Sequence, residues 1–270
     1  MIRELKREKW THKGMNGRLL VISGSYEYIG TPLLVGLAAY RTGIDLLHIA
    51  SPELSAMATA INLPEAIIHV LKGKYISRRH YNEITRLIDI VDAVVIGNGI
   101  SKNKETLETG KRIIRYLVEH EKRAVIDGDL LIGGMNASRN IVLTPHAGEL
   151  ERMINRDVSI DINDRKRLVM YAAQSMSGIV LLKGAIDIIS DGFSVYLNKT
   201  GCPEMSVAGT GDVLAGIIGA LLAQGVEPLR AAILGARING IAGMLARREK
   251  GISLIARDVI ENIPRAIKKI

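Results

Sequence analysis

The stretch Ser206-Val207-Ala208-Gly209-Thr210-Gly211-Asp212 runs directly into an apolar segment over 213–223. Small residues and two glycines ahead of such a segment read as a turn opening a buried helix. The first turn of a helix has backbone N–H groups without intrahelical partners, and the aligned peptide dipoles add partial positive charge there. A phosphoryl group suits that place. Asp212 stands in it, and two roles are open to an acid there. It caps the helix, as Asp does well, or it handles a proton that phosphate chemistry must move. Two familiar phosphate motifs are excluded: there is no G-x-x-x-x-G-K-[ST], and neither Gly209-x-Gly211 nor Gly97-x-Gly99 completes G-x-G-x-x-G.

Other chemistry-bearing residues stand where apolar runs end. Lys183 follows Ile179-Val180-Leu181-Leu182, so its ammonium reaches either solvent or an anion. His146 follows Pro145 and serves either to fix a loop or to act on a substrate. Asp127 and Asp129 cap the next turn or act through water on a magnesium ion. Gly97 and Gly99 bracket a tight turn that needs them for backbone conformation or for close approach of a ligand. His48, His69, His80 and His120 lack metal-ligand spacing, and Cys202 stands alone, so no structural zinc is expected.

The elements that must position these residues alternate. Strands are predicted at 18–23, 46–50, 93–96, 124–126, 141–143 and 179–182, with helices at 33–42, from Pro52, at 104–119 and at 163–176. Asp187-Ile188-Ile189-Ser190 and Ser194-Val195-Tyr196-Leu197 flank Asp191-Gly192 and read as an antiparallel hairpin added to the sheet. Long amphipathic helices at 230–248 and 255–270 close the chain, while the charged opening segment wraps the surface up to His12-Lys13-Gly14. In an open parallel sheet ligands bind beyond the carboxyl ends of the strands, so the polar clusters should converge on one rim. An α/β fold with a single domain over 1–270 is the reading.

Composition bounds the partners. The formal charge is +8, but it is not interleaved with aromatics as in a groove for single strands, so nucleic acid is not expected. One cysteine allows no intrachain disulfide and fits a reducing compartment. The start lacks a signal-peptide core, and the longest apolar run, within 213–223, is too short for a bilayer, so a cytoplasmic protein off the membrane is expected.

Taken in order, the clusters resemble a known family. His12-Lys13-Gly14, Gly24-Ser25, Gly30-Thr31-Pro32, Arg41-Thr42-Gly43, Ile96-Gly97-Asn98-Gly99, Asp127, Thr144-Pro145-His146-Ala147-Gly148-Glu149, Leu182-Lys183-Gly184, Asn198-Lys199-Thr200-Gly201 and Ala208-Gly209-Thr210-Gly211-Asp212 are similar to the ribokinase-like NAD(P)H-hydrate dehydratases. These repair the hydrated, inactive form of NADH or NADPH. The resemblance implies a three-layer fold, a mostly parallel sheet with helices on both faces and a small antiparallel extension. It implies a catalytic Asp212 and a hydrated nicotinamide near Thr31, Gly99, His146 and Asp212. Lys183, Gly184, Ala185, Ile186 and Asp187, with Gly209, Thr210 and Gly211, match the adenine-nucleotide segments. ADP or ATP, with Mg2+, is the implied co-substrate; phosphorylation of the ring hydroxyl and loss of phosphate restore the reduced ring. A homo-oligomer, and a separate epimerase in place of the domain often fused to this family, are further expectations.

Four positions depart from the family's pattern. Asn98 stands where Pro is common, Asp187 where Thr is common, and Cys202 and Glu204 replace Asn and Gly. Asp187 matters most, since a carboxylate beside a nucleotide weakens binding unless it points away. A vitamin or sugar kinase of the same fold is the alternative function, and a nucleotide-binding protein without catalysis is the third.

Overall fold

The computed structural model describes residues 7–270, so the start of the charged opening segment lies outside the described residues. From Arg7 onward that segment does lie on the surface. Arg7 pairs with Asp45 at 2.8 Å, and the Gly14 and Asn16 N–H groups donate to the same carboxylate.

Strands and helices alternate: β1 (Arg18–Ile22), α1 (Thr31–Thr42), β2 (Leu46–Pro52), α2 (Glu53–Asn62), β3 (Ile67–Leu71), α3 (Tyr81–Asp89), β4 (Ala93–Ile96), α4 (Lys104–Glu119), β5 (Arg123–Ile126) and β6 (Ile141–Leu143). Next come α5 (Ala147–Ile154), α6 (Ile162–Met176), β7 (Ile179–Leu182), β8 (Asp187–Ser190), β9 (Val195–Asn198), α7 (Thr210–Ala223), α8 (Pro228–Lys250) and α9 (Ala256–Ile267). Among the described residues the strands form one sheet in the order β3-β2-β1-β4-β5-β6-β7-β8-β9. Every pairing from β3 to β7 is parallel, whereas β7–β8 and β8–β9 are antiparallel, as the hairpin reading requires.

The alternation of side chains along each strand builds two cores. Leu19 and Val21 of β1, with Val95 of β4, face α1, α7, α8 and α9; Leu20 and Ile22, with Val94 and Ile96, face the layer of α3, α4 and α6. Side chains such as Leu19, Leu20, Ile22 and Ile96 are almost fully excluded from water. Each contributes about 1.5–3 kcal/mol by burial.

The helical stretch Pro228–Ser253, α8 with the turn that follows it, is long and apolar enough to cross a membrane, which the apolar run at 213–223 does not reveal. It is a packed helix here: Ala231, Ala232, Ala236, Ile238, Ala242 and Ala246 belong to the core beside α7 and α9.

The strand order reverses direction between β1 and β4, so the chain leaves these neighbouring strands toward opposite sides. That divergence opens a crevice at their carboxyl ends.

Candidate active site

Gly97 follows β4 with φ +114°, and a Cβ there would lie 2.0 Å from the Asp127 carbonyl oxygen. The turns that leave β4 and β5 therefore touch backbone to backbone, which only glycine permits. This contact brings Asn98 and Asp127 together.

Asp127 is 4% exposed, and its carboxylate is fully engaged. Oδ1 accepts from Lys183 Nζ at 2.9 Å and from Thr144 Oγ1 at 2.7 Å; Oδ2 accepts from Asn98 Nδ2 at 2.7 Å. Four strand ends, those of β4, β5, β6 and β7, thus meet in one network. Asp127 occupies the N-cap position of a short 3-10 turn yet makes no side-chain cap bond, so its chemistry is turned to the network.

Lys183 also lies 3.8 Å from Glu149 Oε2. Burial acts to lower the Lys183 pKa, but Asp127, Glu149 and Asp212 together carry it above the ordinary lysine value. The ammonium is not snorkelling to solvent. A Cβ on Gly211 would meet Lys183 Nζ at 3.5 Å, which sets this cation beside the first turn of α7.

Gly209 is the N-cap of α7, with φ +91°, and the helix has no side-chain cap. Asp212 is therefore not the cap. It sits in the first turn, and its Oδ1 accepts from Asn98 Nδ2 at 2.9 Å. Burial pushes its pKa up to about 7, with the neighbouring Asp127 adding to the rise and Asn98 and Lys183 opposing it. An acid with that pKa is a serviceable base near neutral pH.

A cleft of about 470 Å³ opens in front, lined by Thr31, Gly99, Gly209 and Asp212 with Glu27, Tyr28, Leu34 and Asp129 among others. Among the predicted substrate residues, Thr31, Gly99 and Asp212 come together there. His146 does not line the cleft. Its Nδ1 accepts from the Glu149 N–H at 3.2 Å while Glu149 Oε2 accepts from the His146 N–H at 2.8 Å, so it caps α5. Asp129, paired with Asp127 in the sequence reading, lines the cleft, whereas Glu27 and Tyr28 were not singled out from sequence although they follow the end of β1 in the chain.

The segment from Lys183 to Asp187 forms the turn between β7 and β8. Asp187 does not project toward a ligand: Oδ1 accepts from the Gly184 N–H at 3.1 Å and Oδ2 from Asn198 Nδ2 at 2.9 Å. Burial raises its pKa. Asp187→Thr is expected to leave nucleotide affinity within about threefold of the parent and to cost about 1 kcal/mol, one net hydrogen bond. Calorimetric titration with ADP and a thermal melt measure both. The other departures also have a structural partner: Glu204 pairs with Arg247 of α8 at 2.9 Å, and Cys202 Sγ lies 3.7 Å from the Gly243 carbonyl oxygen.

Among the described residues no group of three or more His, Cys, Asp or Glu is placed to hold a metal ion. The water-mediated role of Asp127 on magnesium is not supported, since its oxygens are taken by Lys183, Thr144 and Asn98.

A sheet switch point, a helix N-terminus without a side-chain cap and a carboxylate of raised pKa meet in one cleft. A family model for NAD(P)H-hydrate dehydratase matches residues 19–265. The chain belongs to the NAD(P)H-hydrate dehydratase family. It is 42% identical over 260 residues to a bifunctional NAD(P)H-hydrate repair enzyme of Pyrobaculum aerophilum, a match covering 95% of this chain and 52% of that protein. It is 36% identical over 266 residues to an ADP-dependent (S)-NAD(P)H-hydrate dehydratase of Cenarchaeum symbiosum, covering 97% of this chain and 92% of that one. The chain thus spans about half the length of the bifunctional relatives and nearly all of the shorter one. The structure of the ADP/ATP-dependent NAD(P)H-hydrate dehydratase of Bacillus subtilis, co-crystallised with ATP and Mg2+, aligns at a TM-score of 0.86 and 26% identity, covering 98% of this chain and 93% of that one. The α/β class with a mostly parallel sheet is borne out, and a ribokinase-like superfamily protein of Enterococcus faecalis shares the fold at a TM-score of 0.81 and 21% identity, covering 98% of this chain and 91% of that one.

Proposed function

We propose that the protein returns hydrated NADH or NADPH, as the S epimer, to its reduced form in a reaction that consumes ADP or ATP. The observation that carries this reading is Asp212, ionisable near neutral pH, at the foot of α7 and in the wall of the cleft. The hydroxyl of the hydrated ring forms a bond to the terminal phosphorus as the phosphoanhydride bond breaks, and Asp212 takes the hydroxyl proton. First-turn N–H groups of α7 stabilise the phosphoryl oxygens in transit. The carbon–oxygen bond then breaks, phosphate leaves, and loss of a proton from the adjacent carbon restores the double bond. The products are NAD(P)H, inorganic phosphate and a nucleotide one phosphate shorter.

Magnesium enters this account as part of the co-substrate. Glu27, Asp129 and Asp212 line the cleft and repel a bare polyphosphate, so the nucleotide is admitted with its charge covered by the ion. On this reading the protein works in the cytoplasm, the reducing compartment that its single cysteine fits.

A small-alcohol kinase of the same fold would also use an anion-binding helix terminus and a base. The two functions separate in one experiment. Purified protein is incubated with NADH hydrate, Mg2+ and ADP or ATP in turn, and the near-ultraviolet absorbance of reduced nicotinamide is followed. Absorbance should return only when nucleotide and Mg2+ are both present. Nucleotide consumption on sugars or vitamin alcohols, with the hydrate left unrepaired, would establish the kinase instead.

A further inference from the structure

Asn98 lies between Gly97 and Gly99 at the end of β4 and is 1% exposed. Its amide nitrogen donates to two carboxylates at once, Asp127 Oδ2 at 2.7 Å and Asp212 Oδ1 at 2.9 Å. Its side-chain oxygen Oδ1 is buried and has no hydrogen-bond partner among the described residues. The two carboxylates on the nitrogen side set the orientation of this amide. An amide nitrogen has two hydrogens, one for each of them.

We infer that Asn98 is a positioning residue that holds Asp212 at a fixed distance from Asp127 and keeps it in the ionised form that accepts a proton. This rests on the reading of Asp212 as the base. The charged groups that act on Asp212 come from several elements. Asp127, at the end of β5, opposes its ionisation; Lys183, at the end of β7, favours it, with its charge shared among Asp127, Glu149 and Asp212. Glu27 and Asp129, from the turns after β1 and β5, line the same cleft and add negative charge. Burial acts against the ionised form as well, and the Asn98 hydrogen bond is the largest opposing influence. Lysine cannot supply this service alone, because its closest carboxylate is Asp127. A side chain without a donor at this position, such as proline, cannot make either bond.

The test uses Asn98→Ala and the isosteric Asn98→Asp, with the pH dependence of kcat/KM for hydrate repair as the first readout. A hydrogen bond to the charged form lowers a carboxyl pKa, so its loss raises it. The acid limb of the profile should move up by about one pH unit in Asn98→Ala, and further in Asn98→Asp, which adds a third carboxylate. Near pH 6 this is about a tenfold loss for each unit, most of it regained as the pH is raised. The second readout needs no turnover: the Asp212 carboxyl is titrated by carbon NMR in each folded variant, its signal assigned by its disappearance in Asp212→Asn. An upward shift of the same sign supports the proposal. An Asp212 titration that is unmoved in both variants, with rates lowered equally at all pH values, overturns it and leaves Asn98 a packing residue. Failure of the base reading looks different. Asp212→Asn would then turn over at the parent rate, whatever the NMR titration says about Asn98.

Discussion

Asp212→Asn should fold, bind adenine nucleotide, and turn over about 10²–10⁴-fold more slowly, the usual worth of a positioned base. Asn has nearly the shape of Asp and still offers an oxygen to Asn98 Nδ2, so the 2.9 Å contact survives. Stability should change little, because Gly209 rather than Asp212 is the N-cap and no side-chain cap bond exists to lose. Nucleotide affinity should hold or rise, since a negative charge beside the phosphates has gone. In the parent, activity should climb as pH rises through about 7, because the base must be ionised and its pKa is pushed to about that value. The mutant's residual rate should lack that limb. Stopped-flow turnover and calorimetric binding across pH separate these effects.

Lys183→Ala is expected to do damage of a different kind. It leaves Asp127, 4% exposed, without its cation at 2.9 Å. Removing one partner of a buried ion pair costs about 3–5 kcal/mol. It also removes the positive charge beside Gly211, so nucleotide affinity should fall. The pairing of Lys183→Met with Asp127→Asn separates the two losses. The double variant should regain most of the thermal stability, since no buried charge is stranded, while nucleotide affinity stays low. Recovery of both would make Lys183 a structural cation only; recovery of neither would show that the whole strand-end network depends on Asp127.

Much of this architecture was legible because its signals are local. The strands at 93–96, 141–143 and 179–182 and the helix at 104–119 match the structure, each an apolar run or periodic stretch between clear breakers. Three elements carry weaker signals. β3 is a half-exposed edge strand whose Ile67 and Val70 face solvent and whose His69 interrupts the apolar run. α3 is nine residues long and follows a basic turn, and α5 begins with Ala147-Gly148, a poor helix start that His146 and Glu149 rescue by mutual capping. The site divides the same way. Asp212 and Lys183 stand out because each adjoins an apolar run. Asn98, which bonds a carboxylate 114 residues away, could not be read from spacing, since strand order and the Gly97–Asp127 backbone contact place it. His146 and Asp187 carry ligand-like chemistry in sequence, yet both turn that chemistry to a local purpose, a cap and a turn anchor.

The central claim is that this cleft couples phosphoryl transfer to elimination, and product stoichiometry tests it most directly. The parent protein is mixed with a limiting amount of NADH hydrate, excess nucleotide and Mg2+, and reduced nicotinamide, inorganic phosphate and spent nucleotide are counted after quenching. The account predicts equal amounts of all three, with Asp212→Asn forming each of them slowly. Spent nucleotide accompanied by a stable phosphorylated product, with neither inorganic phosphate nor reduced nicotinamide, would contradict it.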